Sequence, residues 1–213
     1  MLVIGLTGSI GMGKSAAAAH LRARGVRVFD ADAAVHTLYA GAAATGVEAA
    51  FPGTVRDGVV DRARLSAWLR DKPQDFARLE AIVHPLVRAE ERAFLLAEEK
   101  RGATLAVLEI PLLFETGAER LMDAVIVVST SPDIQRQRVL ERSGMTADQL
   151  ASLLARQMPD AEKRRRADFV VDTSGTLEQT HAQLDAIMTS LAGRRGEAFQ
   201  KHWASGRADA ATT

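Results

Sequence analysis

The chain has 213 residues, of which 47% are apolar and 25% are charged, which is the composition of a soluble globular protein large enough for one α/β domain with insertions. Basic and acidic residues both number 27, so the formal net charge of zero gives no indication of a nucleic-acid or membrane-surface partner. The lack of cysteine excludes disulfides and cysteine-ligated zinc, and the lack of a long apolar run or a leader before the first strand predicts a cytoplasmic protein.

The first predicted elements are a strand, a loop and a helix. Residues 2–7 form a short apolar run that predicts a buried strand, and residues 16–24 are strong helix formers. The intervening residues 8–15 match the pattern G-x-x-x-x-G-K-[ST] without a gap. This context favours phosphate binding over a chance glycine-rich turn.

Each part of this loop has a physical role in binding a nucleoside triphosphate. The glycines let backbone N–H groups approach phosphate oxygens, and the start of the helix adds partial positive charge there. Lys14 can reach the outer phosphates, and the Ser15 hydroxyl can bind Mg²⁺. The ATP-binding residues predicted in this loop are Gly8, Gly11, Met12, Gly13, Lys14, Ser15 and Ala16.

Two carboxylates, Asp30 and Asp32, follow a second predicted strand at residues 26–29. Ligands of open parallel sheets bind outside the carboxyl ends of the strands, so these carboxylates are expected near the phosphate loop. Both could instead cap the helix that begins near Ala33. The pattern favours a functional role for at least one of them.

Residues 33–101 interrupt the alternation of strands and helices. Short helices are predicted at residues 33–39 and 47–51, and Asp61 is the predicted N-cap of a third helix. This insertion is helical throughout, which suits a substrate-binding subdomain.

A long helix is predicted from residue 73 to about residue 100, with a kink at Pro85. His84 lies directly before that proline. On the residues alone, a lone histidine of this kind is interpreted as an ordinary structural histidine.

A third predicted strand, residues 105–110, carries Glu109 near its carboxyl end. An acidic residue there resembles a Walker-B carboxylate, which helps to hold Mg²⁺ or its waters. A solvated carboxylate at a strand end fits the pattern equally well. The apolar residues 111–115 that follow could cover a substrate.

A fourth predicted strand, residues 124–128, leads to a helix that carries Arg138 and Arg142 on one stripe. Two such arginines could meet polyphosphate charge, although the spacing alone favours a solvated face. Residues 138–166 are basic and helical and contain no strand, as a lid over nucleotide phosphates would be.

Within that segment, the capping box at residues 146–149 predicts a helix to about Met158. Pro159 ends this helix. The basic run at residues 163–166 is typical of a solvated face.

The fifth predicted strand is at residues 168–172, and a capping box at residues 176–179 begins the last helix. The apolar face predicted for this helix comprises Leu177, His181, Leu184, Ile187, Met188 and Leu191. The apolar periodicity stops at Gly193, which predicts a disordered tail over residues 194–213.

These motifs, taken in order, resemble the dephospho-CoA kinase family from residue 2 to about residue 192. The matching segments are residues 5–15, 30–32, 83–86, 109–115, Arg138, Arg142, 156–157, Lys163, 167–168 and 172–175. The ordered set is far more specific than the Walker pattern alone. The chain departs from the family's common residues at Ser9, Met12, Ala16 and Thr173, where Gly, Ser, Thr and Asn are usual.

The resemblance implies a P-loop kinase fold of the α/β class, with a five-stranded parallel sheet flanked by helices. The nucleotide-binding core is expected at residues 1–32, 104–137 and 167–193. The helical substrate-binding subdomain is expected at residues 33–103, and the lid at residues 138–166.

The activity that the resemblance implies is ATP-dependent phosphorylation of the ribose 3′-hydroxyl of dephospho-CoA, which gives coenzyme A and ADP. It implies a catalytic role for Lys14, Arg138 and Asp32, with Asp32 as general base or orienting group for the hydroxyl. Mg²⁺ is expected on Ser15, with Glu109 or an aspartate in its outer shell. Further ATP contacts are expected from Arg138, Arg142, Ser174 and Gly175, and substrate contacts from Asp32, His84, Pro85, Leu112 and Glu115.

Two other classes stay open on the sequence alone. One is a different small-molecule kinase, such as a nucleoside-monophosphate kinase, and the other is a nucleotide-dependent switch. The acceptor-side carboxylates and the helical insertion favour a kinase. Its expected partners are ATP and dephospho-CoA, without nucleic acid or membrane, and its expected state is a monomer or a weak homo-oligomer.

Overall fold

The computed structural model describes residues 1–143 and 145–205, and the side chains of Arg142 and Ser143 lie outside this description. The chain forms two compact units. The first consists of residues 1–29 and the chain from Leu95 onward, and the second of residues 30–94. The substrate-binding subdomain predicted at residues 33–103 overlaps most of the second unit. No helix within the described ranges is both long and apolar enough to cross a membrane.

The strands, in chain order, are β1 (Leu2–Thr7), β2 (Arg27–Asp30), β3 (Val55–Arg56), β4 (Val59–Val60), β5 (Leu105–Glu109), β6 (Ala124–Ser129) and β7 (Phe169–Asp172). Among the residues described, five strands form one sheet in the order β2-β5-β1-β6-β7. Strand β1 pairs in parallel with β5 and β6, and β6 pairs in parallel with β7. The predicted α/β fold with a five-stranded parallel sheet is therefore confirmed.

The central strands are apolar because both faces of a parallel sheet are covered. Every residue of β1 and β6 is buried. The helices of the first unit are α1 (Lys14–Ala23), α6 (Pro132–Ser143), α7 (Ala147–Leu154), α8 (Asp160–Arg166) and α9 (Leu177–Leu191). Helices α1 and α9 pack on the sheet through a core that includes Leu21 and Leu184.

Two helix predictions in this unit need correction. Helix α7 ends at Leu154, four residues before the predicted end at Met158. Leu177, predicted on the apolar face of α9, is 58% exposed, whereas Thr180 is buried on that helix. Leu177 is the first helical residue, so no preceding turn lies beneath its side chain. Both predicted capping boxes, at Thr146 and Thr176, are present.

The second unit contains α2 (Ala31–Tyr39), α3 (Ala44–Ala50), α4 (Arg62–Asp71) and most of α5 (Phe76–Lys100). Asp61 caps α4 as predicted, because its side chain accepts hydrogen bonds from the first-turn N–H groups. A short 3₁₀ turn, Pro73–Asp75, precedes α5, which continues through Pro85. The second unit has a hydrophobic core of its own, which includes Phe51 and Leu65.

The prediction that the insertion is helical throughout is wrong at residues 55–60, where two short strands flank a turn at Asp57-Gly58. Strands β3 and β4 form an antiparallel hairpin in which Val55 pairs with Val60. Both turn residues have positive φ, 50° at Asp57 and 76° at Gly58. This backbone matches the twist of a two-residue hairpin.

The prediction of a disordered tail is wrong for the residues that the structure describes up to Ser205. Ala198, Phe199 and Trp203 are buried, and Phe199–Trp203 forms a π-helical turn. The Trp203 Nε1 donates a hydrogen bond to the carbonyl of Leu121 at 2.9 Å. Residues 206–213 lie outside the described part. Too few apolar positions recur here to form a helical pattern, so the docking was not visible in the sequence.

Asp123 attaches this C-terminal segment to the start of the sheet. Its Oδ1 accepts hydrogen bonds from the backbone N–H groups of Glu197 and Ala198, at 2.7 and 2.9 Å. Its Oδ2 accepts one from the N–H of Val3 in β1 at 2.8 Å. One carboxylate therefore joins the first strand to residues near the other end of the chain.

Replacing Trp203 by Ala should lower the free energy of unfolding by about 3–5 kcal/mol, because the indole is fully buried and hydrogen-bonded. The measurement is urea unfolding of both proteins. Gln200→Ala is the matched control on the same turn, since Gln200 is exposed. Equal stabilities for Trp203→Ala and the wild type would contradict the docked segment.

A second prediction concerns Glu91 of α5, whose carboxyl pairs with Arg88 at 2.8 Å. Burial raises the pKa of Glu91 to about 7 from its ordinary value of 4.5, and Arg88 opposes the shift. Between about pH 4.5 and pH 7, the Glu91 carboxyl of the native state therefore holds a proton that the unfolded chain has lost. The resulting stabilisation is complete below about pH 4.5 and is lost as the pH rises through about 7.

The Glu91→Gln variant lacks this titration. The melting temperature of the wild type relative to Glu91→Gln should therefore fall between about pH 5 and pH 8. Melts of both proteins across this range measure the difference. A constant difference would show that Glu91 does not change its charge there.

Candidate active site

The phosphate loop joins β1 to α1 and approaches the neighbouring strand closely. A Cβ on Gly8 would lie 2.5 Å from Val128 Cγ2 and 2.7 Å from the Val128 carbonyl of β6. Gly13, the residue before α1, has φ of 90°, which glycine adopts without strain. The loop backbone therefore requires glycine at both positions, for two different reasons.

Met12 anchors the loop to the sheet. Its side chain is buried in the core of the first unit, and its Sδ accepts a hydrogen bond from Thr130 N–H at 3.1 Å. Its backbone carbonyl accepts a hydrogen bond from Thr173 Oγ1 at 2.9 Å. Two of the chain's departures from the family pattern, Met12 and Thr173, are thus in contact.

Two glutamines hold Ile10 at the corner of the loop. Gln135 of α6 donates from Nε2 to the Ile10 carbonyl at 2.7 Å. Gln157 accepts from Ile10 N–H through its Oε1, in a longer bond of 3.4 Å. Neither contact is apparent from the sequence, because both glutamines are more than 120 positions away from Ile10.

Lys14 makes an ion pair with Glu109 at the end of β5. Its Nζ lies 2.8 Å from Glu109 Oε1, and the two side chains are 13% and 3% exposed. Arg22 contacts the other carboxylate oxygen at 3.2 Å. Lys14 is therefore largely buried and paired in this structure.

In the structure, Lys14 and Arg22 both belong to α1, and each contacts one oxygen of the Glu109 carboxylate. Glu109 is therefore compensated by two cations and is not the solvated strand-end carboxylate considered as an alternative.

Arg138 of α6 and Ser174 lie beside the loop that follows β7. The Arg138 guanidinium donates from Nη1 to Thr173 Oγ1 at 3.1 Å and from Nη2 to the Thr173 carbonyl at 2.6 Å. Ser174 Oγ is 2.9 Å from Thr130 Oγ1. Thr173 thus links Arg138 with Met12 of the phosphate loop. The predicted partner of Arg138, Arg142, has its side chain outside the described part.

Hydrogen bonds between Ser174 and Asp172 stabilise the loop that follows β7. The Ser174 N–H donates to Asp172 Oδ1 at 2.8 Å. Hydrogen bonding by the side chain and the backbone of Ser174 lowers the pKa of Asp172 below its ordinary value. Gly175 follows, where a Cβ would lie 2.0 Å from Gln179 Oε1. The loop is therefore a tight turn with a charged carboxylate at its start.

The loop after β5 contains the predicted substrate contacts Leu112 and Glu115. The Leu112 carbonyl accepts hydrogen bonds from the N–H and the hydroxyl of Thr116. Glu115 Oε1 accepts from Met158 N–H at 2.7 Å and lies 2.9 Å from Lys163 Nζ. Glu115 is thus engaged with the chain itself, and it contacts residues that were assigned to the lid.

The second unit contains Asp30, Asp32, His84 and Pro85. Asp30 is the N-cap of α2, where its Oδ1 accepts from Ala33 N–H at 3.0 Å. Asp32 lies in the first turn of that helix, is exposed, and accepts no hydrogen bond in the described part of the chain. The capping alternative therefore applies to Asp30 and leaves the Asp32 carboxylate available.

His84 is half-buried on α5, and Pro85 beside it is exposed. Burial lowers the pKa of His84 below its ordinary value; Glu80 opposes this shift and Arg88 adds to it. Burial therefore favours the neutral form of the imidazole. A neutral histidine can donate or accept a hydrogen bond but does not supply a charge to bind phosphate.

The Ser15 hydroxyl suits a Mg²⁺ ion that arrives together with a nucleotide. Ser15 is exposed in the first turn of α1. Within the described ranges, no three carboxylates or histidines are grouped as a metal site. Mg²⁺ in kinases takes one or two protein oxygens and completes its shell with phosphate and water, so a single hydroxyl fits.

A cavity of about 380 Å³ lies elsewhere in the first unit, against the C-terminal segment. Its walls include Leu2, Asp123, Arg194, Glu197 and Lys201. It contains none of the residues predicted for ATP or the acceptor.

The strand order and the phosphate loop define a P-loop kinase. A shikimate kinase from Acinetobacter baumannii, solved with shikimate, has the same fold with a TM-score of 0.51 at 17% identity, over 91% of this chain and 96% of that chain. A crystal structure from Thermus thermophilus has a TM-score of 0.76 at 37% identity, over 90% of this chain and 98% of that chain.

Residues 2–179 match the dephospho-CoA kinase family, and the chain belongs to that family of ATP-dependent kinases. A dephospho-CoA kinase from Mesorhizobium japonicum is 56% identical over 196 residues, which are 92% of this chain and 100% of that protein. This match favours dephospho-CoA kinase over the nucleoside-monophosphate kinase and the nucleotide switch that the sequence motifs left open.

Replacing Lys14 by Ala should abolish phosphoryl transfer and also lower the free energy of unfolding by about 1–3 kcal/mol, because the buried Glu109 loses one of its two cations. ADP release and urea unfolding are measured together. The double variant Lys14→Ala/Glu109→Gln should regain part of the stability but no activity. Unchanged unfolding of Lys14→Ala would contradict the ion pair, and unchanged turnover would contradict the phosphate-loop assignment.

Proposed function

We propose that this protein transfers the γ-phosphoryl group of ATP to the ribose 3′-hydroxyl of dephospho-CoA. A bond forms between the 3′-oxygen and the γ-phosphorus, the bond from the γ-phosphorus to the β,γ-bridging oxygen breaks, and the hydroxyl proton is released. The products are coenzyme A and ADP. Such transfers depend on positioning and charge stabilisation more than on covalent help from the protein.

The phosphate loop would bind the β- and γ-phosphates through backbone N–H groups of residues 8–16 and through Lys14. In this structure the ammonium of Lys14 faces the Glu109 carboxylate at 2.8 Å. An arriving phosphate would compete with Glu109 for this cation. Arg22 stays with Glu109 and limits the cost of that exchange.

Ser15 would bind the Mg²⁺ that accompanies ATP, with Glu109 reaching it through water. When bound, the ion neutralises charge on the β- and γ-phosphates. The support for this proposal is the exposed hydroxyl of Ser15 at the start of α1 and the nearby carboxylate that already tolerates a cation.

Arg138 would stabilise charge on the transferring phosphoryl group, and Arg142 would assist it. The support is that Arg138 belongs to the network that includes Met12 of the phosphate loop, through Thr173. Ser174 and Gly175 would contact the adenine side of ATP. Residues 138–166 would close over the nucleotide and exclude water, which otherwise competes as an acceptor.

Asp32 would accept or orient the proton of the 3′-hydroxyl. The observation that carries this assignment is the contrast between the two carboxylates, since Asp30 is used as a helix cap and Asp32 is not. An exposed carboxylate without a structural partner is available as a base. His84, Pro85, Leu112 and Glu115 would contribute to binding dephospho-CoA.

The proposed setting is the cytoplasm, where both substrates are small soluble molecules. The chain has no cysteine, so nothing in its chemistry requires an oxidising compartment. The proposed state is a monomer or a weak homo-oligomer, because each predicted catalytic group is supplied by the one chain.

Asp32→Asn should lower kcat by about 10²–10⁴, because the amide cannot accept the proton of the hydroxyl. The KM for ATP should change much less, because the phosphate loop is intact. The stability should stay close to that of the wild type, since Asp32 makes no cap contact. The measurements are kcat, both KM values and a thermal melt.

Asp30→Asn is the matched control on the same helix. Its amide oxygen can still accept the N–H of Ala33, so activity and stability should change little. Unimpaired kcat in Asp32→Asn would rule out the proposed base, whatever the result for Asp30→Asn.

A further inference from the structure

A fully buried lysine lies in the segment that the sequence pattern assigns to a solvated face. Lys163 of α8 has 0% exposure, although the adjacent Arg164 and Arg165 are exposed. Its Nζ lies 2.9 Å from Glu115 Oε1. Lysine is rarely buried in proteins unless it is paired, so this position requires an explanation.

The Lys163–Glu115 pair attaches α8 to the loop after β5. The same oxygen, Glu115 Oε1, also accepts a hydrogen bond from Met158 N–H at 2.7 Å. Asp160, at the start of α8, accepts a hydrogen bond from the Ser129 hydroxyl at 2.7 Å, at the end of β6. The chain between Met158 and Lys163 is therefore held to the core at both ends.

Gln157 connects this attachment to the phosphate loop. It is adjacent to Met158, and its Oε1 accepts the N–H of Ile10 at 3.4 Å. Because Gln157 and Met158 are consecutive, a displacement of Met158 from Glu115 would also displace Gln157 from Ile10. The position of the loop backbone is thus coupled to the buried ion pair.

We propose that Lys163 is a positioning residue for ATP binding. It holds Glu115, which holds Met158, so that Gln157 keeps its contact with Ile10 of the phosphate loop. Lys163 itself touches neither ATP nor the acceptor in this scheme. The inference rests on the proposed role of the phosphate loop in binding ATP.

Several buried polar atoms of this cluster lack hydrogen-bond partners among the described residues, which favours a positioning role for Lys163 over a purely stabilising one. Lys163 Nζ, Glu115 Oε2 and Asp160 Oδ1 are buried and make no hydrogen bond with the residues that the structure describes. The Lys163–Glu115 charges are close, but their orientation does not give hydrogen-bond geometry. Replacing a buried ion pair by apolar side chains of similar volume is often neutral or stabilising. Buried polar groups without hydrogen bonds are therefore expected chiefly where function requires them.

The test is a double-mutant cycle in steady-state kinetics with Lys163→Met, Gln157→Ala and the double variant. Each single variant should raise the KM for ATP by about 3- to 10-fold, the effect expected for one lost hydrogen bond. The KM for dephospho-CoA should stay within about twofold of the wild type. The double variant should be no worse than the more affected single variant, because both remove the same contact.

Arg165→Met is the matched control, since Arg165 is exposed on the same helix and pairs with Glu162. It should leave both KM values unchanged. If Lys163→Met does not fold, Lys163→Gln replaces it in the cycle, since the amide keeps a polar side chain at this position but gives Glu115 no opposite charge.

Two results would overturn the proposal. One is a lower melting temperature for Lys163→Met with a wild-type KM for ATP, which would make the lysine merely structural. The other is a multiplication of the Lys163→Met and Gln157→Ala effects in the double variant. A failure of the phosphate-loop assignment itself is distinguishable, because Lys14→Ala would then also retain wild-type turnover.

Discussion

The candidate active site depends on the parallel register of β1 with its neighbours. Leu6 of β1 lies opposite Glu109 on one side and Ile126 on the other. Strands that run in one direction end at the same edge of a sheet, so the segments that follow them become neighbours there. The loops after β1, β6 and β7 meet through the contacts of Met12 with Thr130 and Thr173.

The charge of Glu109 at this edge of the sheet is balanced by cations of the chain itself. Glu109 is buried, and a buried carboxylate is costly unless cations accompany it. Lys14 and Arg22 provide them from α1. The lysine is thereby held with few of its rotamers available, which reduces the entropy that would be lost when it binds a phosphate. The same carboxylate thus pairs with Lys14 and Arg22 and, in our proposal, contributes to the Mg²⁺ shell.

The departures from the family pattern have structural correlates. Met12 places a large side chain in the core where a serine is usual, and Thr173 contacts the Met12 carbonyl and the guanidinium of Arg138. A Cβ added at Gly13 would lie 3.3 Å from Thr173 Cγ2, so Thr173 also lies directly against the phosphate loop. The two substitutions therefore belong to one local arrangement of the phosphate loop.

The sequence by itself determined the five strands of the parallel sheet, the phosphate loop, the capped helices and the family, because each of these depends on residues close together in the chain. Periodicity, turn chemistry and the spacing of Gly8, Gly13 and Lys14 are local properties. The sequence pattern also indicated Asp30 and Asp32. The pattern alone did not show that Asp30 caps the helix and that Asp32 does not. Tertiary structure decided the contacts of Glu109, the burial of Lys163, the docking of Trp203 and the use of Glu115. These depend on which distant residue supplies the opposite charge or the apolar neighbour, and composition and spacing do not encode that choice.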